Sequence, residues 1–192
     1  VLAVLGAGAQ AETQIRYMLA VRPSIRRVAI WNRTAKKARA LAAALSIPGI
    51  EIGAVENAEA AVRDADIVSC VTASRDPVLR GAWLKPGAHV DLVGSFTPEM
   101  READDEAMRL GRLFVDTRRF AVGHCGEFIQ AIAAGAITPE HVVAELAELC
   151  SGAVGRGSAE EITLFKNAGG GHLDLMVARA FHDLAVGRAQ QS

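Results

Sequence analysis

The stretch Gly6-Ala7-Gly8-Ala9-Gln10-Ala11 holds residue types and a spacing that could do chemistry. It fits Gly-x-Gly-x-x-Gly/Ala, which lets a strand turn sharply into a helix and offer bare backbone to a diphosphate. Gly6 permits the turn. Gly8 carries no side chain, so a pyrophosphate can approach the main chain there. Ala11 is small enough for the helix to pack closely on the strand. The helix N-terminus then presents free N–H groups and a partial positive charge. Alone the motif is common, and its context gives it weight. An apolar run over residues 1–5 precedes it, and a helical pattern over 12–21 follows, with Ile15, Met18 and Leu19 on one side.

The end of the second strand selects the dinucleotide. An acidic residue there would bind the ribose 2′-hydroxyl of NAD(H). This chain has Trp31-Asn32-Arg33-Thr34 instead. A carboxylate ~4 Å from a 2′-phosphate would cost about 4 kcal/mol at an effective dielectric of 20. Asn32 avoids that cost, Arg33 can bond the phosphate or stack on adenine, and Thr34 can donate a hydroxyl or cap the next helix. NADP(H) is therefore favoured over NAD(H). The competing reading makes Arg33 a solvated surface side chain and Thr34 only a cap.

Elements must position these residues. Strands are expected at residues 1–5, 27–31, 50–55, 66–71, 88–93 and 113–116, the last closing the sheet. Helices are expected at 12–21, 35–45, 59–63 and 101–110. Alternation of this kind predicts an α/β fold, a doubly wound, mostly parallel Rossmann sheet. Ligands of such sheets sit beyond the strand carboxyl ends, which here carry Thr72-Ala73-Ser74 and Val93-Gly94-Ser95-Phe96. Thr72 reads equally as a plain turn residue. After Thr117 the pattern turns helical at 126–134, 142–150 and 173–186, with an extended segment at 161–166. Residues 1–122 are therefore expected to form the dinucleotide-binding core. Residues 123–192 are expected to form a helical extension that completes it, with 188–192 frayed.

Other candidates are weaker. Asp104 and Asp105 are adjacent and would diverge on a helix, so they suit no paired acid–base role. His124-Cys125 reads as a surface loop rather than a nucleophile–base pair. His172 reads as a capping or supporting residue, and Asp174 suits a helix N-terminus. No catalytic residue and no metal site are assigned.

Charge and cysteine content narrow the class. With 21 basic and 22 acidic residues and a net charge of -1, nothing draws the chain to nucleic acid or acidic membranes. Cys70, Cys125 and Cys150 are odd in number and lack CxxC spacing, which suits a reducing, cytoplasmic setting. No apolar run approaches the ~20 residues of a membrane span. The chain starts with Val1 inside a buried strand, so an upstream segment is expected.

Taken together the motifs resemble the ornithine cyclodeaminase/mu-crystallin family. The resemblance rests on residues 6–11, Trp31-Asn32-Arg33-Thr34, Ala65-Asp66-Ile67-Val68, Thr72-Ala73-Ser74 and Val93-Gly94-Ser95-Phe96-Thr97-Pro98. It continues through Arg101-Glu102-Ala103-Asp104, Gly126-Glu127, Gly155-Arg156 and Glu161-Ile162-Thr163-Leu164-Phe165-Lys166. These span nearly the whole chain in order, and they look like the cofactor-binding half. The resemblance implies a preceding domain that supplies the substrate-binding basic residues and the homodimer contact, and on which the C-terminal helices pack.

It also implies cofactor contacts at Ala9, Gln10, Asn32, Arg33, Thr34, Thr72, Val90, Asp91, Leu92, Val93 and Asn167. The last stands where the family commonly has serine. Cyclodeaminases carry an aspartate where Phe96 stands, and a phenyl ring cannot take a proton or orient water. The stretch 94–102 looks more like the ketimine reductases, which reduce cyclic imino acids such as Δ1-pyrroline-2-carboxylate or Δ1-piperideine-2-carboxylate. The expected function is thus an NAD(P)H-dependent reductase of such a substrate. The alternatives are a cyclodeaminase or alanine dehydrogenase-type enzyme, and a crystallin-like NADPH-dependent binding protein.

Overall fold

The computed structural model describes residues 1–153 and 155–187; the expectation for residues 188–192 lies outside them. Eight strands form one sheet in the order β3-β2-β1-β4-β5-β8-β6-β7. They are β1 (Leu2–Leu5), β2 (Arg27–Trp31), β3 (Glu51–Ala54), β4 (Ile67–Cys70), β5 (His89–Leu92), β6 (Arg112–Val115), β7 (Val142–Glu145) and β8 (Thr163–Lys166). Every pairing is parallel. The helices are α1 (Ala11–Val21), α2 (Ala35–Ala44), α3 (Ala58–Val62), α4 (Asp105–Leu110), α5 (Arg118–His124), α6 (Gly126–Ala133), α7 (Leu146–Cys150) and α8 (Gly171–Ala185).

The unbroken apolar run of β1 has a direct cause. Leu2 and Val4 face a cluster with Ala11, Ile15, Val28, Ile30 and Ala38, under α1 and α2. Ala3 and Leu5 face the other cluster, with Val62, Val68, Val90, Leu92, Met108 and Phe128. A strand covered on both faces gains no advantage from alternation. The chain leaves β1 toward β2 on one side and reaches β4 on the other, so the strand order reverses there. That reversal opens a crevice at the carboxyl ends of β1 and β4.

Four expectations are corrected. Residues 142–150 are not one helix: β7 pairs with β6, and α7 follows it. Val142 and Ala144 are buried while Val143 is exposed, the period of a strand, and two β-branched valines favour it. β6 does not close the sheet, because β8 inserts between β5 and β6 and β7 takes the edge. The helix expected from 101 begins at Asp105, since the Asp104 carboxylate accepts from Ala107 N at 2.9 Å and caps it. Upstream of that cap, Val78 N and Leu79 N donate to the Glu102 carbonyl. Helix α5 was not foreseen. Thr117 starts it, its hydroxyl accepting from Phe120 N.

Helix α8 projects its apolar side chains outward: Leu175, Met176, Val177 and Phe181 are 55–70% exposed.

Candidate functional site

The glycine loop has the shape its sequence demands. Gly6 sits at φ 121°, and a Cβ there would lie 2.7 Å from the Val71 carbonyl oxygen. Only glycine fits, because both the dihedral and the close approach exclude a side chain. Gly8 is different. A Cβ there would meet no protein atom within 4 Å, so the position opens onto the crevice. The main-chain amides of Gly8, Ala9 and Gln10 have no protein acceptor among the described residues. Helix α1 begins behind them, and its N-cap residue Gln10 makes no side-chain capping bond. Bare amides at a helix N-terminus, with an open glycine, form a cradle that a diphosphate would fill. The residues present therefore fit a dinucleotide.

Asn32 turns out to be a brace as well as a selector. Its Oδ1 accepts from Ala7 N, and its Nδ2 donates to the Thr34 carbonyl, both at 3.1 Å. An aspartate could make the first bond but not the second. A cavity of about 250 Å³ opens here, lined by Gly6, Gly8, Asn32, Arg33, Thr34 and Thr72, with Lys37 beside them. Thr34 is the N-cap residue of α2, yet its hydroxyl makes no capping bond. Arg33 is exposed and forms no ion pair among the described residues. Lys37 was missed by sequence reasoning. Its signal was a second cation one turn beyond Arg33, on the helix face that begins at the strand end.

Gln10, Val93 and Asn167 gather in a neighbouring cavity of about 500 Å³ with Phe96 and His124. Asn167 Oδ1 accepts from Gly169 N at 2.9 Å, which leaves its amide N–H groups to face a ligand. Ala9 is exposed and lines neither cavity. Val90 and Leu92 are fully buried in the core, with their backbones in the ladder between β4 and β8. Asp91 faces the opposite side, where its Oδ2 accepts from Ser69 Oγ at 3.2 Å and from Gln14 Nε2. Burial pushes Asp91 up to about 6. Of β5 and its continuation, it is Val93 that the structure brings to the crevice.

Beneath the rim lies a buried polar network that sequence reasoning did not assign. Glu102 Oε1 accepts from Thr72 N at 2.6 Å and Thr72 Oγ1 at 2.8 Å, and its Oε2 accepts from Gly94 N at 2.8 Å. Glu127 Oε1 accepts from Glu102 N at 2.8 Å, and its Oε2 from Ser95 Oγ. Lys166 Nζ stands 3.9 Å from Glu127 Oε2, with no exposed area. Burial raises Glu102 above the usual carboxylate range, opposed by the Thr72 amide and by Lys166.

The remaining candidates resolve into structure. Asp104 caps α4 and accepts from Gly81 N, and Asp105 pairs with Arg101. Cys125 is buried, which pushes its thiol up to about 11, so it is no nucleophile. His172 does not cap α8. Its ring lies parallel to Phe120 at 6.4 Å between centroids, and Gly170 is the N-cap residue. Asp174 stands in the first turn of α8. Among the described residues no three metal-ligating groups converge, and no helix is long and apolar enough to cross a membrane.

Known proteins resemble this chain in sequence and in fold. The chain is 48% identical over 178 residues to a Δ1-pyrroline-2-carboxylate reductase of Paracoccus denitrificans, covering 92% of this chain and 56% of that protein. Its fold matches the Thermococcus litoralis Δ1-pyrroline-2-carboxylate reductase solved with NADH and L-proline, at TM-score 0.90 and 35% identity. That match covers 97% of this chain and 58% of the other. An archaeal alanine dehydrogenase dimer with bound NAD matches at TM-score 0.88 and 30% identity, over 100% of this chain and 59% of that one. The chain thus spans about half the length of the relatives it matches. The glycine cradle, the parallel sheet and these likenesses are those of a Rossmann-like NAD(P)-binding fold. Residues 1–189 match the profile of one family throughout, and the chain belongs to the ornithine cyclodeaminase/mu-crystallin family.

Proposed function

We propose that the intact protein is an NAD(P)H-dependent reductase of cyclic imino acids, with Δ1-pyrroline-2-carboxylate and Δ1-piperideine-2-carboxylate as its substrate class. The observation that carries this reading is Phe96. It is 61% exposed beside Gln10 and Asn167, just past β5, at the position where the family resemblance implies an aspartate in the cyclodeaminases. A phenyl ring there offers an apolar wall and no proton. The chain's own residues hold and orient. The Gly8–Gln10 amides take the diphosphate, Arg33 and Lys37 take charge at the adenosine ribose, and Asn167 donates at the far end. When bound, the dihydronicotinamide supplies hydride to the C=N carbon, chemistry that belongs to the cofactor. Proton supply and carboxylate recognition are assigned to a preceding domain, against which α8 would pack and through which a homodimer would form.

NADP(H) preference is supported by the lack of a carboxylate at 32–34 and by two cations in its place. Arg33→Ala should weaken NADPH by about 1.5–3 kcal/mol and leave NADH nearly unchanged. Equal losses for both would remove the basis for the phosphate preference. The function itself is tested by assaying the intact protein side by side on pyrroline-2-carboxylate, piperideine-2-carboxylate, pyruvate plus ammonia, and ornithine. Turnover of ornithine, or of pyruvate plus ammonia alone, would replace the proposed reaction. Cofactor binding without any turnover would point to a binding protein.

A further inference from the structure

The loops after β4 and β5 approach so closely that a Cβ on Gly94 would lie 1.8 Å from the Thr72 carbonyl oxygen and 2.7 Å from Glu102 Oε1. Glu102 comes from a third segment, the run before α4, and has no exposed area. Its two oxygens face three donors, two on Thr72 and one on Gly94. A carboxylate accepts on both oxygens, whereas an amide must turn a donor toward the main-chain N–H of either Thr72 or Gly94. The site therefore suits a glutamate and not a glutamine, although it is buried. The charge is offset from below. Lys166 Nζ, at the end of β8, is fully buried and has no hydrogen-bond partner among the described residues, and it lies against Glu127, whose other oxygen holds the Glu102 main-chain amide.

Resting on the reading of the crevice as a dinucleotide site, we infer that Glu102 is a positioning residue for the dinucleotide, holding the rim that joins the two cavities. Its carboxylate locks Thr72 to Gly94, and Lys166 with Glu127 holds that carboxylate in place. Glu102 touches no ligand. It acts through the two strand-end loops: Thr72 lines the cavity that also holds Arg33 and Lys37, and Gly94 follows Val93 at the neighbouring cavity with Gln10 and Asn167. Its loss should therefore be felt most by a ligand that spans both cavities.

The test uses the intact protein carrying Glu102→Gln. Affinities for NADH and for ADP are measured by calorimetry, and folding is checked by thermal unfolding. The lost hydrogen bond and the new donor–donor contact should weaken NADH about tenfold or more, and ADP, which reaches only the Thr72 side of the rim, by clearly less. Equal weakening of both ligands, or no change in either, overturns the inference. Wild-type protein that binds neither NADH nor NADPH overturns the dinucleotide reading, and the inference falls with it. A second measurement stands even if the variant does not fold. In wild-type protein without cofactor, amide hydrogen exchange resolved by residue should show Thr72 and Gly94 protected, and Gly8 and Ala9 unprotected. Exchange at Thr72 and Gly94 as fast as at Gly8 would overturn the locked arrangement.

Discussion

Two glycines two residues apart should respond to the same substitution in opposite ways. Gly6→Ala forces a side chain into φ 121° and drives a Cβ to 2.7 Å from the Val71 carbonyl oxygen. The dihedral costs about 1–3 kcal/mol and the overpacking about as much again, so stability should fall by about 2–6 kcal/mol. For a domain of this size that is roughly 5–20 °C in Tm. Gly8→Ala meets no protein atom within 4 Å and is not in the left-handed region. It should leave Tm within about 2–3 °C, and can raise it slightly by restricting the unfolded chain. Its methyl group stands instead where the diphosphate would approach. Displacing a well-fitted ligand by one methyl costs about 1–3 kcal/mol, or roughly 5–150-fold in affinity. Thermal unfolding and NADPH fluorescence titration on both variants separate the two effects. Wild-type affinity in Gly8→Ala would show that no diphosphate lies against this loop, and the reasoning about the cradle would be wrong.

Asp91→Asn should flatten part of the stability–pH curve. Burial raises Asp91 to about 6, so between about pH 4 and 6 the native state holds a proton that the unfolded chain has released. Stability contributed by that proton is therefore lost as pH rises through the window, by about 2–3 kcal/mol. The asparagine variant should lack this decline in urea unfolding; an unchanged pH slope relative to wild type would contradict the assignment. The difference between variants is the quantity to read, because His89, held down to about 4 by burial, acts with the opposite sign between about pH 4 and 6.5. Of the three thiols, the exposed Cys150 should react with a disulfide reagent in native protein at neutral pH, while Cys70 and Cys125 react only after unfolding. Rapid native labelling of Cys125 would contradict its burial.

What the sequence made legible was what is local. The glycine loop is a six-residue motif whose reasons lie within those residues and the adjoining strand. Strand β2 and the turn Asn32-Arg33-Thr34 could be read for the same cause. The position of β8 could not. Residues 161–166 read as an extended segment, but the place of β8 between β5 and β6 depends on partners 74 and 51 residues back in the chain. Residues 142–150 failed differently, because a four-residue edge strand followed at once by a five-residue helix leaves too short a pattern for either period to be recognised. Glu102 was visible only as a motif letter. Its role needs Thr72, 30 residues back, and Gly94, eight residues back, on two different strand ends.

The charges under the crevice can be assigned from bonding pattern alone. Asp91, Glu102 and Glu127 share the neighbourhood of one buried lysine, with the buried Asp116 held by the Thr117 and Gly169 amides beside them, so full ionisation would leave a costly excess of negative charge. A proton must find the oxygen that can best tolerate it. On Glu102 a proton on Oε2 would face the Gly94 amide, and one on Oε1 would have to reverse the Thr72 hydroxyl bond. Glu127 Oε1 faces the Glu102 amide, and its Oε2 takes the Ser95 hydroxyl and lies 3.9 Å from Lys166. Asp91 alone takes both its donors on one oxygen, and among the described residues no donor reaches Oδ1. Below about pH 6 the proton therefore belongs on Asp91. That choice leaves Glu102 accepting on both oxygens where it ties Thr72 to Gly94. It also places the proton on the opposite face of the sheet, under α1, away from the loops it would otherwise disturb.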